Sequence, residues 1–275
     1  MRAMPNTSAA GSPRVSRGVV YVATGDPAYA LYAACSILSL RDTGYRGPIT
    51  VFTDMPAQRF RLPGVRVAKI AVPKDARKPS RALKTSLAAL SPYSETLFLD
   101  ADTVVLEPVQ KIWSFLKKSD IALALDRNPA LGTVNHATPE ELRRTLSMLP
   151  ASTPHYNSGV MVWKKSSKTL ALFNAWNAEW NVFSDIDQLA LCRAIAKTGI
   201  TSAILPEKYN LAAVRAHSAE PAIIHFGEQK KRIPKNYPAL FKRACAALNI
   251  SRFRASLWLA RSAFKRFARR VLRKT

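Results

Sequence analysis

Asp100-Ala101-Asp102 closes the apolar run Thr96–Leu99 (TLFL). Extended backbone aims side chains two residues apart to the same side. Two hard anionic oxygens so placed suit Mg²⁺ or Mn²⁺, which can also grip a diphosphate. Such an ion neutralises phosphate charge and stabilises a leaving group. Asp185 and Asp187 repeat the spacing, but they precede a stripe of helical period (Ile186, Leu189, Ala190, Arg193), so helix capping accounts for part of that pair. His225 stands in the apolar run Ala222–Phe226 (AIIHF), ahead of Gly227, Lys230 and Lys231. There it could be a third metal ligand with phosphate-clamping lysines behind it, or a packed histidine.

The segment Ala23-Thr24-Gly25-Asp26-Pro27-Ala28-Tyr29 joins a polar turn, a carboxylate and an aromatic at a helix start. It lacks G-x-G-x-x-G, so the dinucleotide fingerprint is absent. Asp26 could accept from a base or ribose while Tyr29 stacks. Equally, Asp26 could cap the helix and Tyr29 could pack. Lys84 falls on the helix before the Asp100 strand, where a solvated lysine is the default. His136, His155, His217 and His225 do not have metalloprotease spacing, and no Ser/His/Asp or Cys/His arrangement competes.

The elements that must position these residues alternate along the chain. Gly18–Thr24, Pro48–Phe52, Val65–Ile70, Thr96–Leu99, Ile121–Leu125, Val160–Trp163, Ala203–Leu205 and Ala222–Phe226 read as strands. Apolar residues at helical spacing predict helices over 28–41, 80–90, 109–117, 138–149, 167–180 and 186–197. Thr138 with Glu141 three residues on marks one helix start. Apolar strands alternating with amphipathic helices predict an α/β fold with a mostly parallel sheet. Ligands of such sheets sit outside the carboxyl ends of the strands.

The chain has 275 residues, of which 48% are hydrophobic and 22% charged, which is ordinary for a folded domain and excludes wholesale disorder. No stretch approaches ~20 apolar residues free of charge, so several membrane spans are excluded. Cys35, Cys192 and Cys245 are odd in number and far apart, which predicts buried reduced thiols rather than a disulfide framework. The net charge of +24 is uneven. All 18 acids lie between Asp26 and Glu228, whereas residues 229–275 carry 15 Lys and Arg and no acid. The excess points to a local contact with phosphates rather than to a globally basic protein. Residues 251–275 hold nine of those bases, with Phe253, Leu257, Ala260, Phe264 and Val271 near helical period. They predict an amphipathic helix on an anionic membrane surface, or one packed on the body. Nucleic acid ranks third, since no nucleic-acid motif accompanies the charge. Residues 1–17 hold no apolar run of signal-peptide length and read as a disordered tail.

In order and spacing these motifs resemble the GT-A glycosyltransferases, most closely the retaining, glycogenin-like family 8 group. The resemblance rests on V-x-x-A-T-x-D (20–26) with Tyr29, Lys84 sixteen residues before Asp100 in FLDADT (98–103), YNSGVMVW (156–163), Asp187-Gln188, LPEKYN (205–210) and IIHFG (223–227). It spans residues 18–235, leaving 236–275 as a basic helical extension. It implies the GT-A fold and metal-dependent, retaining transfer of a hexose from a nucleotide sugar such as UDP-glucose or UDP-galactose. The acceptor would be a saccharide or lipid-linked hydroxyl. By the same resemblance Asp100, Asp102 and His225 would hold Mn²⁺ (or Mg²⁺), and Thr24, Asp26 and Tyr29 the uridine. Lys84 would reach the diphosphate or sugar. Asn157 and Ser158 would line the pocket, Asp187 and Gln188 would contact the donor sugar, and Lys230 or Lys231 would clamp phosphates. The leaving phosphate would help to deprotonate the acceptor hydroxyl. A lipid-linked acceptor, together with the basic extension, implies a cytoplasmic enzyme peripheral on the inner face of the membrane.

Four positions depart from the pattern. Gly25 stands where the family often has Asn, one residue is inserted before Tyr29, Ser184 replaces a carboxylate, and the Gly-x-x-Lys-Pro-Trp ending is absent. Two other readings remain at this level. One is a nucleotidyltransferase, which would open on a basic Gly-rich loop. The other is a non-catalytic module that binds membranes or polyanions on a degenerate transferase scaffold.

Overall fold

The computed structural model describes residues 16–56, 60–72, 78–213, 220–226 and 237–257. The first strand, β1 (Arg17–Ala23), is buried throughout after Arg17. Its unbroken apolar run is what a strand covered on both faces requires. α1 (Pro27–Asp42) follows at once. Asp26 caps it by accepting from Ala28 N at 3.0 Å, and Pro27 fills its first turn. Next come β2 (Ile49–Thr53), β3 (Val65–Lys69), α2 (Pro79–Lys84), α3 (Leu87–Leu90), β4 (Glu95–Leu99) and β5 (Thr103–Val105). Beyond a 3-10 helix (Gln110–Lys117) lie β6 (Ile121–Ala130), α4 (Pro139–Met148), β7 (Pro154–Lys164), α5 (Ser167–Phe183) and α6 (Asp187–Thr198). β8 (Ser202–Leu205), β9 (Leu211–Ala212), β10 (Ile223–His225) and α7 (Tyr237–Ala247) complete the order.

Seven strands form the main sheet, in the order β3-β2-β1-β4-β7-β6-β8. Neighbours run parallel except β7, which is antiparallel to both β4 and β6. The expected α/β fold, a mostly parallel sheet flanked by helices, is therefore present. Alternate residues of β1 feed two cores. Val19 and Tyr21 pack with Leu31 and Ile37 of α1, while Val20 and Val22 share the other face with Trp176 and Leu189. The reversal of β7 carries its first residues to the carboxyl edge of its neighbours. Leu99 pairs with Val160, and Ala124 with Asn157. A second sheet, β5-β10-β9, adjoins that edge and sets Thr103 opposite His225. β5 and β9, three and two residues long, are too short to show a period in sequence.

Two helices differ from expectation. The one predicted over 80–90 breaks into α2 and α3. Thr85 Oγ1 donates to Ala82 O at 2.7 Å and accepts from Asn177 Nδ2 at 2.7 Å. A hydroxyl that takes the helix's own carbonyl weakens its continuation. The one predicted over 109–117 winds as 3-10 turns, with Ile112 N donating to Val109 O at 3.0 Å. α7 lies within the segment read as a basic helical extension, 236–275, and packs on α1, where Ala244, Cys245 and Leu248 join its core. Cys35, Cys192 and Cys245 are buried free thiols. Among the described residues no helix is long and apolar enough to cross a membrane. Residues 252–257 are helical, and the rest of the expected basic helix lies outside the described residues. So do residues 1–15 of the tail expected over 1–17, whereas Arg17 begins β1, where its backbone pairs with β4.

Candidate active site

β4 delivers Asp100 to the carboxyl edge of the sheet. Its backbone N donates to Gly159 O at 2.8 Å, tying the Asp100-Ala101-Asp102 turn to β7. The turn is closed from below by Thr103, whose hydroxyl donates to Asp100 O at 2.9 Å. The small sheet then supplies a third side chain from far along the chain. Thr103 pairs with His225, and Phe226 N donates to Asp102 O at 3.0 Å. His225 Nε2 consequently lies 3.4 Å from Asp102 Oδ1 and 3.6 Å from Asp100 Oδ2. The ligand atoms of Asp100, Asp102 and His225 all fall within 4.8 Å of one another.

These three groups influence one another strongly. Burial disfavours charge on His225, yet Asp102 and Asp100 outweigh it and raise the imidazole pKa. Burial also opposes charge on Asp102, but His225 holds its carboxyl below the usual range. At Asp100 burial wins over Lys84 and His225, and the carboxyl is raised. A crowded pair of carboxylates that draws a proton onto a facing imidazole is a place for positive charge. Two oxygens and one nitrogen are a donor set that fits Mn²⁺ or Mg²⁺.

Lys84 ends α2 and is only 6% exposed, so the solvated-lysine default does not hold. Its Nζ lies 2.9 Å from Asp100 Oδ1 and 3.3 Å from Asp187 Oδ2, and donates to Ser158 Oγ at 3.3 Å. Burial lowers its pKa, but the two carboxylates more than offset that and keep it charged. Asp187 opens α6, where the helix dipole favours an anion. It accepts from Ser158 Oγ at 2.7 Å. Burial alone would raise its carboxyl, but Lys84, Arg81 and Ser158 hold it far below the usual range. Neighbouring Asp185, the carboxylate closest to Ser184, is held by Lys78 and by Arg81, whose Nη1 donates to its backbone oxygen at 2.6 Å.

Asn157 and Gln188 converge on Asp126, a residue the motifs did not single out. Asp126 Oδ2 accepts from Asn157 Nδ2 at 2.9 Å and from Gln188 Nε2 at 3.2 Å. Gln188 Oε1 in turn lies 2.9 Å from His136 Nε2. Asn210 bridges Asn157 and His225, at 2.9 and 3.0 Å. The signal for Asp126 was present, since it follows the strand run Ile121–Leu125 as Asp100 follows TLFL. Asn210 lies inside LPEKYN, while Arg81 and His136 carry no local sign.

Thr24 and Asp26 occupy the adjoining β1–α1 turn, and Tyr29 lies in the first turn of α1. Thr24 Oγ1 is 3.1 Å from Ser80 Oγ, on the same short helix as Lys84. Asp26 caps α1, and Tyr29 is half-buried with its ring edge-on to Tyr32 at 6.5 Å. Gly25 adopts φ +83°, a left-handed conformation that suits glycine. Lys230 and Lys231 lie outside the described residues.

Residues 94–234, half of the chain, match the family of nucleotide-diphospho-sugar transferases. In structure the chain is similar to the galactosyltransferase LgtC in complex with donor and acceptor sugar analogs (TM-score 0.60, 13% identity, 83% of this chain and 95% of that chain). It is also similar to mouse xyloside xylosyltransferase 1 (TM-score 0.56, 12% identity, 80% of this chain and 100% of that chain). The likeness to the bifunctional glycosyltransferase WbbM (TM-score 0.59, 15% identity) covers 88% of this chain and 51% of that chain. No curated protein matches the chain by sequence.

Proposed function

The chain belongs to the nucleotide-diphospho-sugar transferase family and is a glycosyltransferase; from that premise we propose that it moves a hexose from UDP-glucose or UDP-galactose to a saccharide or lipid-linked hydroxyl. The reaction proposed is cation-dependent and retains anomeric configuration, as in the glycogenin-like family 8 group. The observation that carries this reading is the meeting of Asp100, Asp102 and His225 beside Lys84 and Asp187 at the carboxyl edge of the sheet. A bound Mn²⁺ or Mg²⁺ supplies charge neutralisation for the departing diphosphate. Lys84, held in place by two carboxylates, adds fixed positive charge toward the same group. Asp187, Gln188, Asn157 and Ser158 are the proposed donor-sugar contacts, and Thr24, Asp26 and Tyr29 the uridine contacts. Lys230 or Lys231 is the proposed phosphate clamp. Orienting the acceptor hydroxyl supplies much of the remaining acceleration.

The test is a donor screen with Mn²⁺ across UDP-, GDP-, ADP- and CDP-sugars, in the wild type and Asp102→Asn. Slow hydrolysis or transfer confined to UDP-hexoses and lost in the variant is the expected result. Turnover that ignores both metal and Asp102 would sink the reading.

Residues 251–275 are proposed to rest on anionic lipid, which would place the enzyme at the inner face of the cytoplasmic membrane with a lipid-linked acceptor. Phe253 and Leu257, four residues apart, are 74% and 42% exposed, while Ala255 between them is buried. Phe253, flanked by Arg252 and Arg254, and Leu257 one turn on form an outward apolar pair that suits a headgroup region. Co-sedimentation with anionic vesicles should drop in Phe253→Asp/Leu257→Asp. Equal sedimentation would refute lipid contact through this helix.

A further inference from the structure

His225 faces the carboxylate pair with one ring nitrogen and turns the other to Asn210. A neutral imidazole has one N–H and one lone pair, so the neighbour of Nδ1 decides what Nε2 can offer. The polarity of that neighbour can be traced from groups with no freedom. The backbone N–H of Gly159 lies 2.8 Å from the side chain of Asn157 and can only donate, so the atom facing it is Oδ1. The other end of that amide, Nδ2, meets Asp126 Oδ2 at 2.9 Å, and a carboxylate can only accept. Asn157 Oδ1 takes a second bond, from Asn210, at 2.9 Å. Asn210 therefore presents Nδ2 to Asn157 and Oδ1 to His225 Nδ1, at 3.0 Å. Asn210 is buried, so water does not readily replace this bond.

We propose that Asn210 is a positioning residue for the cation centre: it holds His225 as the Nδ1–H tautomer, with the Nε2 lone pair turned to Asp100 and Asp102. Asn157, anchored by Gly159 and Asp126, fixes the direction of the Asn210 amide. The inference rests on the proposed function only for the presence of a cation. Partners of this kind around a metal-bound histidine are worth about 10- to 100-fold in metal affinity.

The test is Mn²⁺ titration of the full chain by calorimetry, with the His225 tautomer read by ¹⁵N NMR on the Mg²⁺-loaded protein, where the cation offsets the pull of the two carboxylates on an Nε2 proton. Asn210→Leu keeps bulk and removes the acceptor. It should weaken Mn²⁺ binding about 10- to 100-fold and shift the ring proton toward Nε2. Asn210→Asp keeps an acceptor and should retain both affinity, within a few-fold, and tautomer. Should Asn210→Leu fail to fold, Asn157→Leu, which frees the Asn210 amide to turn, should weaken binding in the same direction. An Nε2–H ring in the wild type, or unchanged affinity in the Leu variants, would overturn the proposal. No transfer from any nucleotide sugar, alongside the expected Mn²⁺ pattern, would fell the proposed function and leave this inference standing. Transfer with an indifferent Asn210→Leu would do the reverse.

Discussion

Gly159 lies so close against the imidazole of His225 that a Cβ at that position would stand 2.6 Å from Nδ1 and 2.9 Å from Asn157 Oδ1. The ring rests on bare backbone, and no larger residue leaves it where it is. Gly159→Ala should displace His225, reduce Mn²⁺ affinity by about tenfold or more, and cost about 1–3 kcal/mol of stability through overpacking. Metal titration and chemical denaturation read the two effects separately. Wild-type affinity in the variant would show that the ring's place does not matter.

Lys84 answers two carboxylates at once, the buried Asp187 and the half-buried Asp100. Lys84→Met removes the charge but keeps the stem over Phe98, whose ring centre lies 5.2 Å from Nζ. Leaving buried Asp187 with only Arg81, at 3.8 Å, as counter-charge should cost up to about 3–5 kcal/mol. Turnover should fall about 10²- to 10³-fold, as for loss of one preorganised donor. Measured kcat in folded variant decides the second point, and an unaltered kcat would remove Lys84 from the diphosphate.

His155 and His225 should act oppositely on stability as pH changes. Burial pushes His155 below the ordinary imidazole range. The unfolded chain then binds a proton near pH ~6.5 that the folded chain refuses, so stability falls as pH drops below that value. His225 is raised, because Asp102 and Asp100 outweigh burial. Its contribution is fully present below pH ~6.5 and is lost as pH rises through its folded pKa. His155→Gln should therefore flatten the metal-free stability curve below pH ~6.5, while His225→Gln should remove a decline above pH ~6.5. Urea denaturation between about pH 5 and pH 8 provides the check, and parallel curves would contradict both assignments.

Arg193 offers a control away from the site. It is fully buried and donates to Glu179 Oε2 at 3.0 Å, to Thr145 Oγ1 at 2.6 Å and to Glu141 Oε1 at 3.4 Å, joining α4, α5 and α6. Arg193→Met should cost about 3–5 kcal/mol, since two carboxylates lose their counter-charge. Mn²⁺ affinity of the protein that remains folded should stay within a few-fold of wild type. A selective loss of metal binding would mean that α6 is set by this network.

Sequence alone determined what is local. An apolar run followed by Asp100 and Asp102 is legible because a strand needs both faces apolar and its end is where polar groups emerge. The cap at Asp26 is legible for the same reason, as one side chain bonding backbone two residues away. The break at Thr85 was not, because the hydroxyl acts with Asn177 on another helix. Nor was the burial of Lys84, which follows from Asp100 and Asp187 arriving from different elements. Tertiary structure decided the rest: the reversal of β7, the short strands that carry His225 to Asp102, and the amide string through Asn210. Each depends on groups distant in the chain meeting at hydrogen-bond range, and that meeting is set by sheet order and register rather than by any local period.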